Sequence, residues 1–148
     1  MPSINRSKGI TLFWRLHRWL FQISDGRIGS SLFGVKILKV TTKGRRTEEP
    51  RAILIYYYPY QDSFVIVGSN LGADWHPAWY LNLQSDPAAE IQRGRERRQV
   101  VARTATGRER ESLWAEIVKK DESYKEYQAL TSREFPLVIL DPVDKQVD

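Results

Sequence analysis

The chain has 148 residues, 41% of them hydrophobic, enough for one domain with a real core and too few for two comfortable ones. It contains no cysteine, which excludes disulfides, thiol nucleophiles and Cys-ligated metals, and no apolar run of the ~18 residues that a membrane-spanning helix needs. Its 23 Lys and Arg against 18 Asp and Glu give a net charge of +5, a surplus that favours an anionic partner: nucleic acid, lipid headgroups, or a phosphorylated or carboxylated small molecule.

The first predicted element is an amphipathic helix in "ITLFWRLHRWLFQISDG", ended by Gly26. Leu12, Phe13, Leu16, Trp19, Leu20 and Ile23 fall on one stripe at about 100° per residue. Arg15, Arg18 and Gln22 lie off it, and Trp14 and Phe21 occupy the far side. The helix therefore either packs on the domain or a dimer partner, or lies in a lipid interface with its arginines at headgroups. Arg15, His17 and Arg18 interrupt the apolar run and no small-residue cleavage site follows, so a secretory signal is not expected. The expected location is the cytoplasm, with residues 10–23 as a candidate contact to the inner face of the cell membrane. Residues 1–34 thus form a helix and linker, and 35–148 the main domain.

"VKILKVTT", residues 35–42, predicts a strand, and "KGRRTEEP" a turn. "RAILIYYY" (51–58) and "SFVIVGS" (63–69) are β-rich runs joined by "PYQD", a hairpin signal. A helix is expected from Pro77 to about "QSDP", with Asp74 or His76 as its cap. "AEIQRG" and "RRQVVARTAT" predict a second hairpin turning near Gly94. Residues 107–119 read as a helix with Leu113, Trp114, Ile117 and Val118 inward, 122–129 as a shorter helix, and "FPLVILDP" as a last strand before a polar tail. Strands adjacent in sequence with helices between hairpins predict a mainly β fold with added helices (α+β), a small barrel.

No dinucleotide fingerprint, P-loop, nucleophile elbow or metal-ligand spacing is present, and only His17 and His76 are available. If the chain is an enzyme, a bound organic cofactor carries the chemistry. Three constellations remain. In "TTKGRRTEEPR" a Gly-containing turn with Arg45, Arg46 and Arg51 can hold phosphate or carboxylate oxygens, unless Glu48 and Glu49 simply pair with those arginines. "GSNLGADWHPAWYLNL" offers a helix start that attracts anions, the rings of Trp79 and Tyr80, and the amides of Asn70 and Asn82 for the edge of a flat ligand; an ordinary core corner reads the same. In "DESYKEYQALTSREFP" Tyr124 and Tyr127 share a helix face and can bond a substrate or supply a proton, or merely border the helix surface.

In this order, "TTKGRRTEEPR", "GSNLGADWHPAWYLNL" and "YKEYQALTSREFPLVIL" resemble the deazaflavin (coenzyme F420)-dependent nitroreductase family over roughly residues 35–142. The resemblance implies a split β-barrel, flavin-reductase-like fold and hydride transfer from the reduced deazaflavin to a quinone, a nitroaromatic or another conjugated acceptor. It implies that Arg45, Arg46, Thr47 and Arg51 hold the coenzyme's phosphate and acidic tail. Ala52, Ile53, Leu54, Ile55 and Tyr56 form the strand beside the ring, Val67, Gly68, Ser69 and Asn70 the strand end and loop, and Ala78, Trp79, Tyr80, Leu81 and Asn82 the closing wall. Tyr124 reaches the site from the C-terminal helix. Tyr56, Ser69, Tyr124 or Tyr127 orients the acceptor or donates the balancing proton. Where many members carry Lys in a "SKGG"-like loop, this chain has "SNLG", so coenzyme affinity and acceptor preference are the properties expected to diverge. The alternatives are a split-barrel protein using FMN or haem, and a basic module binding nucleic acid through "RGRERR". The second is disfavoured because the aromatics lie elsewhere in sequence. A homodimer is a further expectation.

Overall fold

The computed structural model describes residues 31–32 and 35–143. The amphipathic helix expected at 10–23, most of the expected 1–34 segment and the tail beyond 143 lie outside these residues. Eight strands are described: β1 (Ser31–Leu32), β2 (Val35–Lys43), β3 (Pro50–Tyr56), β4 (Tyr58–Tyr60), β5 (Ser63–Val67), β6 (Ala88–Arg93), β7 (Glu96–Thr104) and β8 (Leu137–Pro142). Three helices accompany them: α1 (Ala78–Ser85), α2 (Gly107–Lys120) and α3 (Ser123–Gln128). A single 3-10 turn, Asn70–Gly72, follows β5.

All pairings are antiparallel, in the order β1-β2-β6-β7-β8-β5-β4, with β3 on the other edge of β2 from β6. β2 is thus shared: Thr41 faces Ala52 of β3 on one side and Glu90 of β6 on the other. The curled sheet is a split β-barrel, as the sequence resemblance implies.

The near-continuous apolar runs of β5 and β8 have a direct cause. Phe64 and Ile66 of β5, with Val138 and Leu140 of β8, point into the barrel core with Leu38, Val40, Trp79, Tyr80 and Leu83. The alternating residues Val65, Val67, Leu137 and Ile139 point to the opposite face, which α2 and α3 cover with Leu113, Ile117, Val118 and Tyr124. Buried on both sides, these strands show no polar alternation, and each fully buried side chain contributes about 1.5–3 kcal/mol.

Two local expectations are corrected. The run 51–58 is not one strand: it divides at Tyr57, whose N–H bonds the Lys36 carbonyl at 3.1 Å and whose ring is buried against Phe64. After it, Tyr58 starts a new pairing with Val65. The hairpin then turns through Gln61, in the left-handed region at φ 53°. Neither Asp74 nor His76 caps α1; extended Pro77 occupies the cap position without a side-chain bond, and its carbonyl accepts from Tyr80 N–H at 3.1 Å.

Candidate active site

The cleft begins as a cavity of about 480 Å³, within the usual range for small-molecule sites. Ile53–Tyr56 of β3 form one wall, Pro77 and Trp79 at the start of α1 another. Val67, Ser69, Asn70 and Leu71 close a third side, and Asp121, Ser123, Tyr124 and Tyr127 of the α2–α3 corner the fourth. Ile53 and Trp79 also belong to a groove of about 640 Å³ lined by Thr42, Gly44, Arg45, Arg46, Thr47, Pro50, Arg51, Ala52, Ala78 and Asn82. The two spaces therefore meet across those side chains. Arg45 and Ala78 in turn border an outer recess with Asp74, Trp75, His76, Leu81 and Arg133.

The basic groove is built by the β2–β3 hairpin. Gly44 N–H donates to Glu49 O and Gly44 O accepts from Glu48 N–H, both at 2.8 Å, and Glu48 takes φ 62° to close the turn. A Cβ at Gly44 would stand 2.9 Å from Thr47 Oγ1 and 3.1 Å from the Glu49 carbonyl, so a side chain there would push one of them aside. Glu49 lies 3.7 Å from Arg51 and Glu48 3.8 Å from Lys43, exposed pairs worth little each. Among the described residues no carboxylate lies within 4.0 Å of Arg45 or Arg46, so the solvated-pair reading of the hairpin holds for Arg51 and Lys43 but not for these two.

Asn82 is tied into the protein by its own amide. Buried at 4% exposure, its Oδ1 accepts from Arg45 N–H at 3.2 Å and Arg45 Nη1 at 3.1 Å, while Nδ2 donates to Thr42 Oγ1 at 3.1 Å. It braces the arginine hairpin from α1 while lining the groove as well. Tyr80, expected in the wall, points into the barrel core: it is 7% exposed, with its hydroxyl 3.3 Å from Thr104 Oγ1 and accepting from Gln84 Nε2 at 3.1 Å. Gly68 lines neither space; a Cβ there would meet Pro136 Cγ at 2.6 Å, so glycine lets the strand end pass Pro136. Leu81 lines the outer recess. The remaining expected residues all border the inner cavity or the groove. Trp79, 8% exposed, is both core and cleft wall.

The loop after β5 is held in an unusual conformation. Asn70, Leu71 and Gly72 have φ of 45°, 56° and 81°; for Leu71 this is a strained state, of a kind that clusters at functional sites. Gly72 packs where a Cβ would approach Tyr127 O to 2.8 Å. Asn70 Nδ2 donates to Trp75 O at 3.2 Å. The main brace is Arg133, which sequence reading gave no role. It donates to the carbonyls of Gly68 (2.9 Å), Ser69 (2.8 Å) and Ala73 (3.0 Å), lies 3.0 Å from His76 Nδ1, and stacks over Phe135. Only its place in "TSREFP", part of the matching C-terminal string, could have flagged it. Burial, then the Arg133 charge, pushes the His76 pKa down, which suits a neutral ring accepting from the guanidinium.

Two phenols of the inner cavity, Tyr56 and Tyr124, and Tyr58 beside them are held protonated. Burial raises Tyr56, with smaller contributions from Asp121 and Tyr127. Tyr124 is raised far above the ordinary phenol range, chiefly by burial, and Tyr58, its edge-on ring neighbour at 6.3 Å, is raised by burial and partly relaxed by its hydrogen bond to Tyr124. Asp121 and Ser123 were also missed. They sit at the helix corner where α2 ends, a boundary that periodicity locates poorly.

The described split barrel thus carries an aromatic-walled cavity beside an arginine-lined groove, a shape and charge that suit a planar ligand with an anionic tail. The chain belongs to the F420H(2)-dependent quinone reductase family, whose model matches residues 13–142. It is 34% identical over 142 residues, covering 93% of this chain and 94% of the relative, to the F420H(2)-dependent quinone reductase Rv1261c of Mycobacterium tuberculosis. Among solved structures it resembles an F420-H2 dependent reductase (TM-score 0.65, 30% identity, 71% of this chain and 93% of that one). It also resembles a chain solved as a domain-swapped dimer (TM-score 0.68, 26% identity, 88% and 99%). The protein is accordingly an oxidoreductase that uses coenzyme F420, in place of the FMN or haem alternative.

Proposed function

We propose that the protein reduces quinones with the deazaflavin ring held in the inner cavity and the coenzyme's phosphate and glutamate carboxylates in the arginine groove. The observation that carries this reading is the pair of side chains Ile53 and Trp79, which line both an apolar, aromatic space and a cationic one. The residues fit the group: forked guanidinium donors suit phosphodiester and carboxylate oxygens, and the aliphatic strand Ile53–Ile55 with the Trp79 indole suits a flat ring.

When bound, the reduced coenzyme supplies a hydride, two electrons with one proton, so a quinone becomes hydroquinone on taking one further proton. The chain's own residues position the partners and supply that proton. Arg45, steadied by Asn82, and Arg46, Thr47 and Arg51 fix the coenzyme tail and hence the depth of its ring. Ser69, whose backbone Arg133 anchors, and Asn70 border the acceptor. Tyr56 hydroxyl donates to the acceptor oxygen, and its raised pKa keeps it protonated through neutral pH. Tyr124 and Tyr127 wall the cavity against water during transfer, and solvent returns the proton that Tyr56 gives up once the product leaves. Nitroaromatic compounds are the second acceptor class to assay.

Residues 10–23 carry the proposed peripheral membrane contact, which brings the cleft to lipid-borne quinone. Co-sedimentation with anionic liposomes, with and without residues 1–30, tests it; equal binding removes the idea.

The central test is fluorescence titration with oxidised F420, FMN alongside, followed by turnover with reduced F420 and a quinone. Saturable binding of the deazaflavin alone, weakened by Arg51→Ala and Trp79→Ala, supports the assignment. Undiminished binding in both variants would move the coenzyme out of this cleft.

A further inference from the structure

The two halves of the cleft differ in charge. Arg45, Arg46 and Arg51 line the groove, whereas the one charged side chain lining the inner cavity among the described residues is the carboxylate of Asp121. It is placed by the fold: its backbone N–H closes α2 on Ile117 O at 2.8 Å, and its Oδ1 accepts from Ser123 N–H at 3.0 Å and from the Ser123 hydroxyl. Both bonds fall on Oδ1, and the residue is half-buried at the cavity wall. Its charge reaches the phenols around it, adding to burial in raising Tyr56, Tyr58 and Tyr124. A substituent on a flat acceptor in this space meets that field with no cation lining the same cavity to offset it.

We propose that Asp121 is a specificity-determining residue that admits neutral or cationic acceptors and turns away anionic ones. The same charge sets the coenzyme's direction, because an anionic tail finds three guanidinium groups on one side of Trp79 and a carboxylate on the other. The proposal rests on the reading that the acceptor occupies this cavity. One unit charge at a partly solvated site changes the affinity for a charged ligand a few ångströms away by roughly tenfold, and the effect narrows as salt screens it.

The test uses the whole protein with reduced F420 and two acceptors, 1,4-naphthoquinone and its 2-sulfonate. Intrinsic differences between them cancel when the ratio of their kcat/KM values is compared between variants. Asp121→Asn, which keeps an oxygen for Ser123, is expected to raise the sulfonate-to-neutral ratio about tenfold, mostly through the sulfonate KM. Asp121→Glu is expected to hold the ratio near that of the unaltered protein. In the unaltered protein the ratio should rise between about 0.02 and about 0.3 M salt, a measurement independent of any variant's folding. A ratio insensitive to salt and unchanged in Asp121→Asn, with both quinones reduced, overturns the charge selection and leaves the functional reading intact. Reduction of neither quinone overturns both.

Discussion

Replacing Arg133 by Ala tests whether the cleft loop is held by one side chain. The guanidinium donates to the Gly68, Ser69 and Ala73 carbonyls and faces His76 Nδ1, all within 3.0 Å, and stacks on Phe135 at 5.0 Å. A hydrogen bond from a charged donor contributes about 1.5–3 kcal/mol, but the freed carbonyls regain water at this half-buried site. A loss of about 3 kcal/mol for the set follows, or a fall in Tm of about 10 °C for a domain of this size. Because Asn70 and Leu71 sit at φ 45° and 56°, their strain is released when the brace goes, and the loop relaxes away from the cavity. Thermal denaturation should therefore show the drop, and acceptor kcat/KM should fall at least about tenfold while F420 affinity changes less, since the tail groove is built elsewhere. Arg133→Lys keeps the charge but not the fork and should recover less than half of the stability. A Tm within about 2 °C of the unaltered protein, with acceptor KM unchanged, would refute the bracing role.

Three further outcomes are expected. Asn82→Ala removes the buried amide between Thr42 and Arg45, costing about 2 kcal/mol and weakening F420 binding by a few-fold, seen together in melting and fluorescence titration. His76 has a lowered folded pKa, so the unfolded chain takes up its proton first. The stability this residue contributes is complete above its ordinary pKa of 6.5 and declines as pH falls below it. Melting at pH 7.5 and 5.5 should show a smaller acid loss in His76→Asn than in the unaltered protein. Tyr56→Phe should lower quinone kcat/KM by about tenfold or more, and Tyr124→Phe by less while lowering Tm; equal small effects from both would remove Tyr56 from the proton step.

What the sequence made legible was whatever repeats along the chain or sits in a contiguous string. The hairpin of β6 and β7 turns beside Gly94, at φ 60°, and α2 runs Gly107–Lys120 against an expected 107–119. The hairpin arginines and the loop-to-α1 wall are contiguous and matched a family string, so most of them gather as expected. The illegible part is set by contacts far apart in sequence. No local pattern says that Thr41 pairs with both Ala52 and Glu90, or that Asn82 spends its amide on Arg45, 37 residues away. Tyr80 and Trp79 are neighbours of similar bulk, and only the angle of α1 over the barrel sends one ring to Thr104 and leaves the other in the cleft. Arg133 looks like any surface arginine until the chain brings residue 68 to it.

The meeting of cavity and groove at only Ile53 and Trp79 has an evolutionary consequence. The hairpin tip proposed to grip the coenzyme and the helix corner proposed to face the acceptor are separate segments, each free to accept substitutions without remodelling the other. On the proposed function, a lineage can therefore tune its electron sink through residues 121–127 while the arginine grip on the coenzyme tail stays unchanged. Trp79 is the hinge of that independence, and change there is felt on both sides at once.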